Sequence, residues 1–360
     1  MSYRYPFRIL FGLILLFGLF VKPTGMLAAS DTLPPRLTDK QFWRLIDEFS
    51  EPDGYFRSDN LLSNERWMQS VIPELLQNTK PGGVYLGVGP EQNFTYIAAL
   101  KPKIAFITDI RRGNLHTQLM YKALFELSAD RTDFVARLFS RKRPSGLDSK
   151  SSAESIFSSY TETENGNEAA YNENLKEIKD LLAKKHGFPL SLDDLAGIED
   201  IYNTFYRFGP SLNYTSSGRS FGAHGYFVSY ADLMMETDED GVNHSYLASE
   251  DNFNAVKELE EKNLVIPLVG DFAGPKAIRA VGKYLRDRNA TVAAFYLSNV
   301  EQYLGSNWSR FCANIATLPL DEKSTFIRAS RRFGGGFRYG LQTSLGAMQS
   351  ETKDCSDRWH

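Results

Sequence analysis

The chain has 360 residues, with 41 Lys and Arg against 44 Asp and Glu and a formal net charge of -3. This near-balance excludes the strongly basic character typical of nucleic-acid-binding proteins, so we expect a small-molecule ligand and no nucleic-acid partner. The length is sufficient for one large domain or two ordinary ones, and the hydrophobic fraction of 42% indicates a globular protein with a buried core.

The first thirty residues have the layout of a secretory signal peptide. Arg4 and Arg8 precede an uninterrupted apolar run over 9–21, and small residues follow over 27–30. The run is shorter than the roughly 20 residues of a transmembrane helix, which favours cleavage over anchoring. The sequence therefore predicts a signal peptide or membrane anchor over 1–29, with membrane association through 9–21 if the segment is retained. The expected location is periplasmic, extracellular or membrane-anchored, and it is cytoplasmic only if the segment is not used.

The remaining chain divides into five predicted segments. A helical cap is expected over 30–80, and buried apolar strands alternating with helices indicate the first half of a Rossmann-like domain over 81–139. Polar residues accumulate and strand-like runs nearly vanish over 140–250, which indicates a mostly helical insertion. The second half of the domain follows over 251–345, with a tail over 346–360. The predicted fold class is a doubly wound α/β sheet.

Both cysteines of the chain, Cys312 and Cys355, lie near the C-terminus. In an oxidising compartment they are able to pair, but the sequence does not test the geometry, so their pairing stays open. No Cys or His spacing is typical of a zinc site, and we therefore predict no structural metal.

The turn after the first predicted strand carries the strongest binding signal. Gly87 and Gly89 lie where that strand meets a helix, so the backbone is able to approach a ligand at the positive end of the helix dipole. Asp109 ends the second predicted strand about twenty residues later, where an acid typically binds ribose hydroxyls. The pattern indicates a nucleotide-type ligand. The alternative is a tight turn of any α/β protein beside a surface acid.

These motifs resemble those of class I S-adenosylmethionine-dependent methyltransferases. The matching stretches are 84–91, 107–109, 269–272 and 294–299. The resemblance covers roughly 84–127 and 256–318, and it implies a Rossmann-like sheet of methyltransferase type with S-adenosyl-L-methionine as the cofactor. The stretch 87–94, which reads GVGPEQNF, also resembles a family of uncharacterised bacterial proteins.

The resemblance also implies which residues bind the cofactor. In chain order they are Gly87, Gly89, Glu91, Asn93, Asp109, Asp271, Phe272, Ser298 and Asn299. Gly87 and Gly89 would face the methionine portion, and Asp109 would bind the ribose. Asp271 and Phe272 would contact the adenine, and Ser298 and Asn299 would lie at the reaction face.

Two departures from the methyltransferase pattern lie at the turn. Leu86 occupies the position where the family usually has an acid, and Pro90 with Glu91 occupies the position of a third glycine. Glu91 is either a replacement for the missing acid, binding the cofactor's ammonium group, or a helix N-terminal acid favoured by the dipole.

Methyl transfer requires the acceptor to be aligned with the sulfonium and often requires a base. The candidate bases near the strand ends are Glu301, Tyr303 and His116. His116 has an ordinary alternative as a surface residue in the first turn of a helix.

Four further residues are candidates for substrate binding. Arg111 and Arg112 follow the ribose acid and are able to clamp a carboxylate or phosphate. Asn64 and Glu65 belong to the predicted cap, which would fold over the cofactor. The alternatives are exposed loop arginines in the first case and ordinary turn or helix-cap chemistry in the second.

Two other functions compete with the methyltransferase hypothesis. Residues 218–222 match the GxSxG pattern of serine hydrolases, with Ser220 as nucleophile and His224 close behind, but their polar, glycine-rich flanks lack the strand and helix that this motif needs. The export segment also conflicts with a cofactor that is made and kept in the cytosol. The main alternative is therefore an exported, non-catalytic ligand-binding or interaction module on the same fold.

Overall fold

A six-stranded sheet organises the computed structural model, which describes residues 1, 32–161, 166–218, 227–331, 341–353 and 355. The strands lie in the order β3-β2-β1-β4-β5-β6, in which β1 to β5 are parallel and β6 is antiparallel to β5. Their bounds are β1 Val84–Gly87, β2 Ile104–Asp109, β3 Val265–Val269, β4 Val292–Ser298, β5 Thr325–Arg331 and β6 Leu341–Ala347.

Thirteen α-helices accompany this sheet in the described residues. They are α1 Asp39–Phe49, α2 Ile72–Asn78, α3 Gln92–Leu100, α4 Arg112–Leu127, α5 Arg131–Phe139, α6 Ala153–Thr161, α7 Glu168–Asp180, α8 Leu192–Phe208, α9 Tyr230–Met235, α10 Glu250–Glu261, α11 Ala277–Arg286, α12 Trp308–Ile315 and α13 Met348–Lys353. The sequence prediction of an α/β fold of Rossmann-like type is confirmed at this level.

The strand order places one edge of the sheet in a position to bind ligand. Every residue of β1, β2 and β3 is buried, as expected for parallel strands covered on both faces. The order reverses between β1 and β4, so a crevice forms outside the carboxyl ends of these strands, where ligands of open α/β sheets bind.

The chain between α1 and α2 runs over this same edge without regular helix. Glu51 anchors it, because one carboxylate oxygen accepts hydrogen bonds of 2.8 Å from the backbone N–H groups of Lys276 and Ala277 at the start of α11. Its own N–H donates to the carbonyl of Val269 at the end of β3. The predicted helical cap over 30–80 thus contains the helices α1 and α2, whereas the chain between them, over 50–71, is irregular and bonds to the sheet edge through the N–H groups of Glu51 and Gly54.

Helices α5 to α9 lie between β2 and β3 in the chain; α5, α7 and α8 pack against α4, and α6 packs against α9. Their core is aromatic, with Phe134 stacked on Phe125 of α4 at 4.7 Å and Tyr246 packed against both rings.

None of the described helices combines the length and the apolar character needed to cross a bilayer. The predicted export segment, apart from Met1, lies outside the described residues. Cys312 and Cys355 are joined by a disulfide, with their Cα atoms 5.7 Å apart.

Candidate functional site

A cavity of about 630 Å³ opens outside the carboxyl ends of β1 to β4. Four parts of the chain line it: the segment over 55–65, the turn over 88–92, the loops after β2, β3 and β4, and the insertion residues Tyr214 and Phe227. Its volume is within the range of small-molecule sites, and polar and aromatic side chains share its wall. The strand order and the cavity thus point to the same edge of the sheet.

Gly89 lines this cavity, whereas Gly87 does not. Gly89 has a φ of +78°, a conformation that favours glycine, and a Cβ there would come within 3.2 Å of the Gln92 amide nitrogen. At Gly87 a Cβ would collide with the side chain of Asn93. Gly87 therefore makes room for Asn93, and Gly89 lets the backbone face the ligand space.

Asn93 is fully buried and holds the turn together from inside. Its Nδ2 donates to the carbonyls of Val88 and Pro90 at 2.9 and 2.8 Å, and its Oδ1 accepts a 2.9 Å hydrogen bond from the Tyr85 hydroxyl. The structure thus places Asn93 behind the turn and out of the cavity lining, because its hydrogen-bonding capacity is used within the protein.

Glu91 is also buried and lies outside the cavity lining. One of its oxygens accepts a hydrogen bond from the Ser63 N–H at 3.1 Å, and the other has no hydrogen-bond partner. Burial raises the pKa of Glu91 to about 8, so the group is mostly neutral at pH 7. Because its side chain lies outside the cavity lining, Glu91 is not placed to contact an ammonium group there.

Asp109 lines the cavity but is already bound to Arg111, which lines it too. Arg111 donates from its backbone N–H and Nε to Oδ1 at 2.9 and 3.0 Å, and from Nη2 to Oδ2 at 2.8 Å. Nη1 of Arg111 also donates to the carbonyls of Ser58 and Asp59. These bonds fix the irregular segment over 50–71, called the covering segment below. A carboxylate accepts about four hydrogen bonds, so Asp109 keeps room for about one more from a ligand.

The loops after β3 and β4 bring Asp271, Phe272, Ser298 and Asn299 to the cavity. The ring of Phe272 stacks on Phe295 at 5.6 Å. Ser298 has a φ of +51°, which is uncommon for a residue other than glycine. Such strain persists only where the surroundings enforce it, and it is frequent at functional sites.

The candidate bases separate into one at the cavity and two away from it. Tyr303 lines the cavity, is 47% exposed and packs edge-on against Phe56 at 5.1 Å. Glu301 forms a two-point ion pair with Arg328, with distances of 2.6 and 3.2 Å, and does not line the cavity.

His116 lies outside the cavity lining, and so does Arg112. Both side chains bind Asp194 at the start of α8: Nε2 of His116 lies 2.8 Å from Oδ1, and Nε of Arg112 donates to the same atom at 2.6 Å. The Arg112 N–H also donates to Asp53 at 2.6 Å. These contacts tie the insertion to α4, so both side chains act on packing rather than on ligand.

Asn64 and Glu65 both line the cavity, and Glu65 has the most unusual environment. The Glu65 side chain is 1% exposed; Oε1 accepts a hydrogen bond from the Ser298 hydroxyl, and Oε2 has no partner. Burial raises the pKa of Glu65 to about 7, against smaller lowering effects of hydrogen bonds from Ser298 and Tyr296. This carboxyl therefore changes charge near neutral pH.

The chain matches the model of a family described as a domain of unknown function, DUF7790, over residues 61–351. The protein belongs to the DUF7790 family. None of the curated proteins compared with it matches. The DUF7790 region includes all six strands and Glu65, but it begins after the aromatic segment at Tyr55.

Sequence reasoning missed several residues that line the cavity of this DUF7790 protein. From the covering segment these are Tyr55, Phe56 and Arg57, from the turn Gln92, and from the insertion Tyr214 and Phe227. An aromatic pair beside an arginine in a polar, glycine-containing stretch was the available signal for the first group. The insertion residues reach the cavity through the tertiary fold, and no local pattern shows them.

Two further expectations concern a metal and a nucleophile. No group of three or more His, Cys, Asp or Glu residues suited to a metal occurs in the described part of this DUF7790 chain. Ser220 and His224 lie outside the described residues, so the serine hydrolase hypothesis stays a prediction.

Proposed function

We propose that the protein is methyltransferase-like and binds S-adenosyl-L-methionine or a closely related nucleoside ligand in this cavity. One observation carries the proposal. The cavity lies at the point where the strand order reverses, and six of the residues implied by the methyltransferase resemblance line it at the carboxyl ends of β1, β2, β3 and β4. The six residues that do so are Gly89, Asp109, Asp271, Phe272, Ser298 and Asn299.

The chemistry of these side chains fits the parts of such a ligand. Phe272 offers a ring face for a base, Asp271 a carboxylate, and Asp109 about one remaining acceptor position for a ribose hydroxyl. The bound cofactor would supply an activated methyl group. The protein would orient the ligand through these contacts and exclude water with the covering segment.

Among the predicted bases, Tyr303 is the one whose position supports a role beside the ligand. Glu301 and His116 are bound to Arg328 and Asp194, respectively, so we exclude them from the proposed site. Dinucleotide-binding sheets share this strand order, so we propose the methyltransferase type on the sequence resemblance of 84–91, 107–109, 269–272 and 294–299.

The exported, non-catalytic binding module remains the second candidate, and the disulfide favours it. Disulfides persist in oxidising compartments and are rare in the cytosol, where S-adenosylmethionine is made. The bond between Cys312 and Cys355 therefore agrees with the predicted signal peptide. Under this proposal the same cavity binds a nucleoside-like or small polar ligand without methyl transfer.

Calorimetry of the full chain with S-adenosylmethionine and S-adenosylhomocysteine tests the first proposal. We expect saturable heat, and we expect Asp271→Asn to weaken binding about tenfold by removing one charged contact. The matched control is Asp287→Asn, whose side chain is 51% exposed in a surface pair with Lys283 and lies outside the cavity. A folded protein that gives no heat with millimolar ligand contradicts the proposal and leaves the binding module.

A further inference from the structure

Glu65 is a buried carboxyl at the wall of a ligand cavity, and it has no cation of its own. No lysine, arginine or histidine of the described residues forms an ion pair with it, and its Oε2 has no hydrogen-bond donor. Burying an ionised carboxylate without a counter-charge is costly, so such groups take up a proton or acquire a cation. In the absence of ligand, a proton is the available partner.

The groups that face Glu65 do not supply the missing charge. Those that interact with it from β4, β1, α3 and the residue before α3 are Ser298, Tyr296, Tyr85, Tyr96 and Glu91. The other charged groups that line the cavity are Arg57, Asp109, Arg111 and Asp271. Of these, Arg111 is already bound to Asp109 and to two backbone carbonyls.

The hydrogen bond from Ser298 also leaves Glu65 ready to exchange its proton. The hydroxyl donates to Oε1 and stabilises the carboxylate form, while Oε2 remains available to a proton or to a cation. The uncommon backbone conformation of Ser298 holds this donor in place at the end of β4. The pair therefore couples the charge of Glu65 to the occupancy of the cavity.

We infer that Glu65 is the counter-charge for the cationic end of the ligand and that it gives up its proton when this ligand binds. The inference rests on the proposed function, because S-adenosylmethionine carries a sulfonium and an ammonium group. It assigns to Glu65 the ionic contact that one of the two interpretations of the sequence gave to Glu91. The ligand class that it names is an organic cation.

Proton release on binding tests the inference with the full chain. Calorimetry at pH 7 in two buffers of different ionisation enthalpy measures the protons released on binding S-adenosylmethionine or S-adenosylhomocysteine. Because the pKa of Glu65 is raised to about 7, we expect release of about half a proton per ligand. Glu65→Gln abolishes the release and weakens binding about tenfold or more.

Glu260→Gln is the matched control. Glu260 is 1% exposed, has a pKa raised by burial to about 8 and has an unpartnered Oε2, but it does not line the cavity. This variant keeps both the proton release and the affinity. Binding without proton release, or release that persists in Glu65→Gln, overturns the inference while the proposed function stands.

If neither nucleoside binds, the proposed function is contradicted but the inference about Glu65 is not. An infrared titration then tests the inference by itself. The protonated-carboxyl band missing from Glu65→Gln is followed against pH, with and without methylammonium or trimethylsulfonium chloride. If that variant does not fold, Ser298→Ala identifies the band by shifting it. We expect the cations to lower the titration midpoint of this band. A midpoint that neither cation moves, or the absence of such a band, overturns the inference.

Discussion

Two largely buried carboxyls of this molecule, Glu126 and Glu65, differ in what compensates their charge. At the interface of α4, Glu126 lies 2.8 Å from the ammonium of Lys122 and 2.9 Å from Nε2 of His186. Burial raises the pKa of Glu126, but the hydrogen bond from His186 and the charge of Lys122 outweigh it and hold that pKa below its usual value. At the cavity, burial raises the pKa of Glu65, the hydrogen bonds from Ser298 and Tyr296 do not outweigh this effect, and no cation of the described residues pairs with the carboxyl.

The difference separates a structural role from a ligand-binding one. A buried carboxylate with its own cation is satisfied within the fold and has no need of a ligand. A buried carboxyl that has hydroxyl donors but no paired cation, and that lies at the wall of a cavity, is able to take its counter-charge from a ligand. Burial alone therefore does not identify a functional acid in this protein, and our proposal for Glu65 rests on burial without a counter-charge at a cavity.

Removing the cation of the α4 interface is the strongest way to break this comparison. The Lys122 side chain is 1% exposed and serves Glu126 together with the backbone carbonyl of Glu260. Lys122→Met leaves Glu126 with His186 as its remaining partner and removes the hydrogen bond to the Glu260 carbonyl, so we expect the free energy of unfolding to fall by about 3–5 kcal/mol in urea titrations. Lys176→Met is the control, because its 75%-exposed side chain forms only a surface pair with Asp180 and should change stability by less than about 0.5 kcal/mol. Equal losses in the two variants contradict the assigned role.

The pH dependence of stability tests the cavity side. The pKa of Glu65 rises on folding from 4.5 to about 7, so its stabilising contribution is complete below pH 4.5 and is lost as pH rises through about 7. The stability difference between wild type and Glu65→Gln therefore declines by about 3 kcal/mol in total across this window. Denaturant titrations between pH 5 and pH 8 measure it.

Glu126→Gln provides the opposite case for the same measurement. Because the pKa of Glu126 is lowered in the folded state, its contribution is present above pH 4.5 and is lost only as pH falls below that value. Its difference from wild type should stay flat between pH 5 and pH 8. A decline of similar size in both variants would show that the two carboxyls are equivalent.

The sequence predicted the sheet edge well, because its signals are local. Buried apolar strands alternating with helices gave the α/β fold, and the turn at Gly89 and the acid at Asp109 do line one cavity. The partners of these residues were not predictable in the same way. Arg111 lies only two positions from Asp109, yet whether it binds that acid or a ligand depends on the covering segment that receives its other nitrogens.

Long-range contacts explain the remaining differences. The sequence identifies His116 as a candidate base, whereas in the structure it binds Asp194, which lies far along the chain on α8. The sequence identifies Glu65 only as a candidate for substrate binding, because neither its burial nor its contact with Ser298 on β4 is encoded in neighbouring residues. A single sequence shows which residue types are near a strand end, whereas tertiary packing decides which of them keep a free hydrogen-bonding position.

The smallest expected effect comes from removing one of the hydroxyl groups that bond to Glu65, that of Ser298. Ser298→Ala removes the hydroxyl but keeps a side chain with the same backbone strain at a φ of +51°, so we expect a loss of only about 1 kcal/mol in the free energy of unfolding. Because the lost hydrogen bond favoured the carboxylate, the pKa of Glu65 should rise further and the pH window of its contribution should move upward. The exposed Ser309→Ala on α12 is the control and should leave the window unchanged. If the window does not move in Ser298→Ala, the hydroxyl does not tune Glu65, and the carboxyl depends on burial alone.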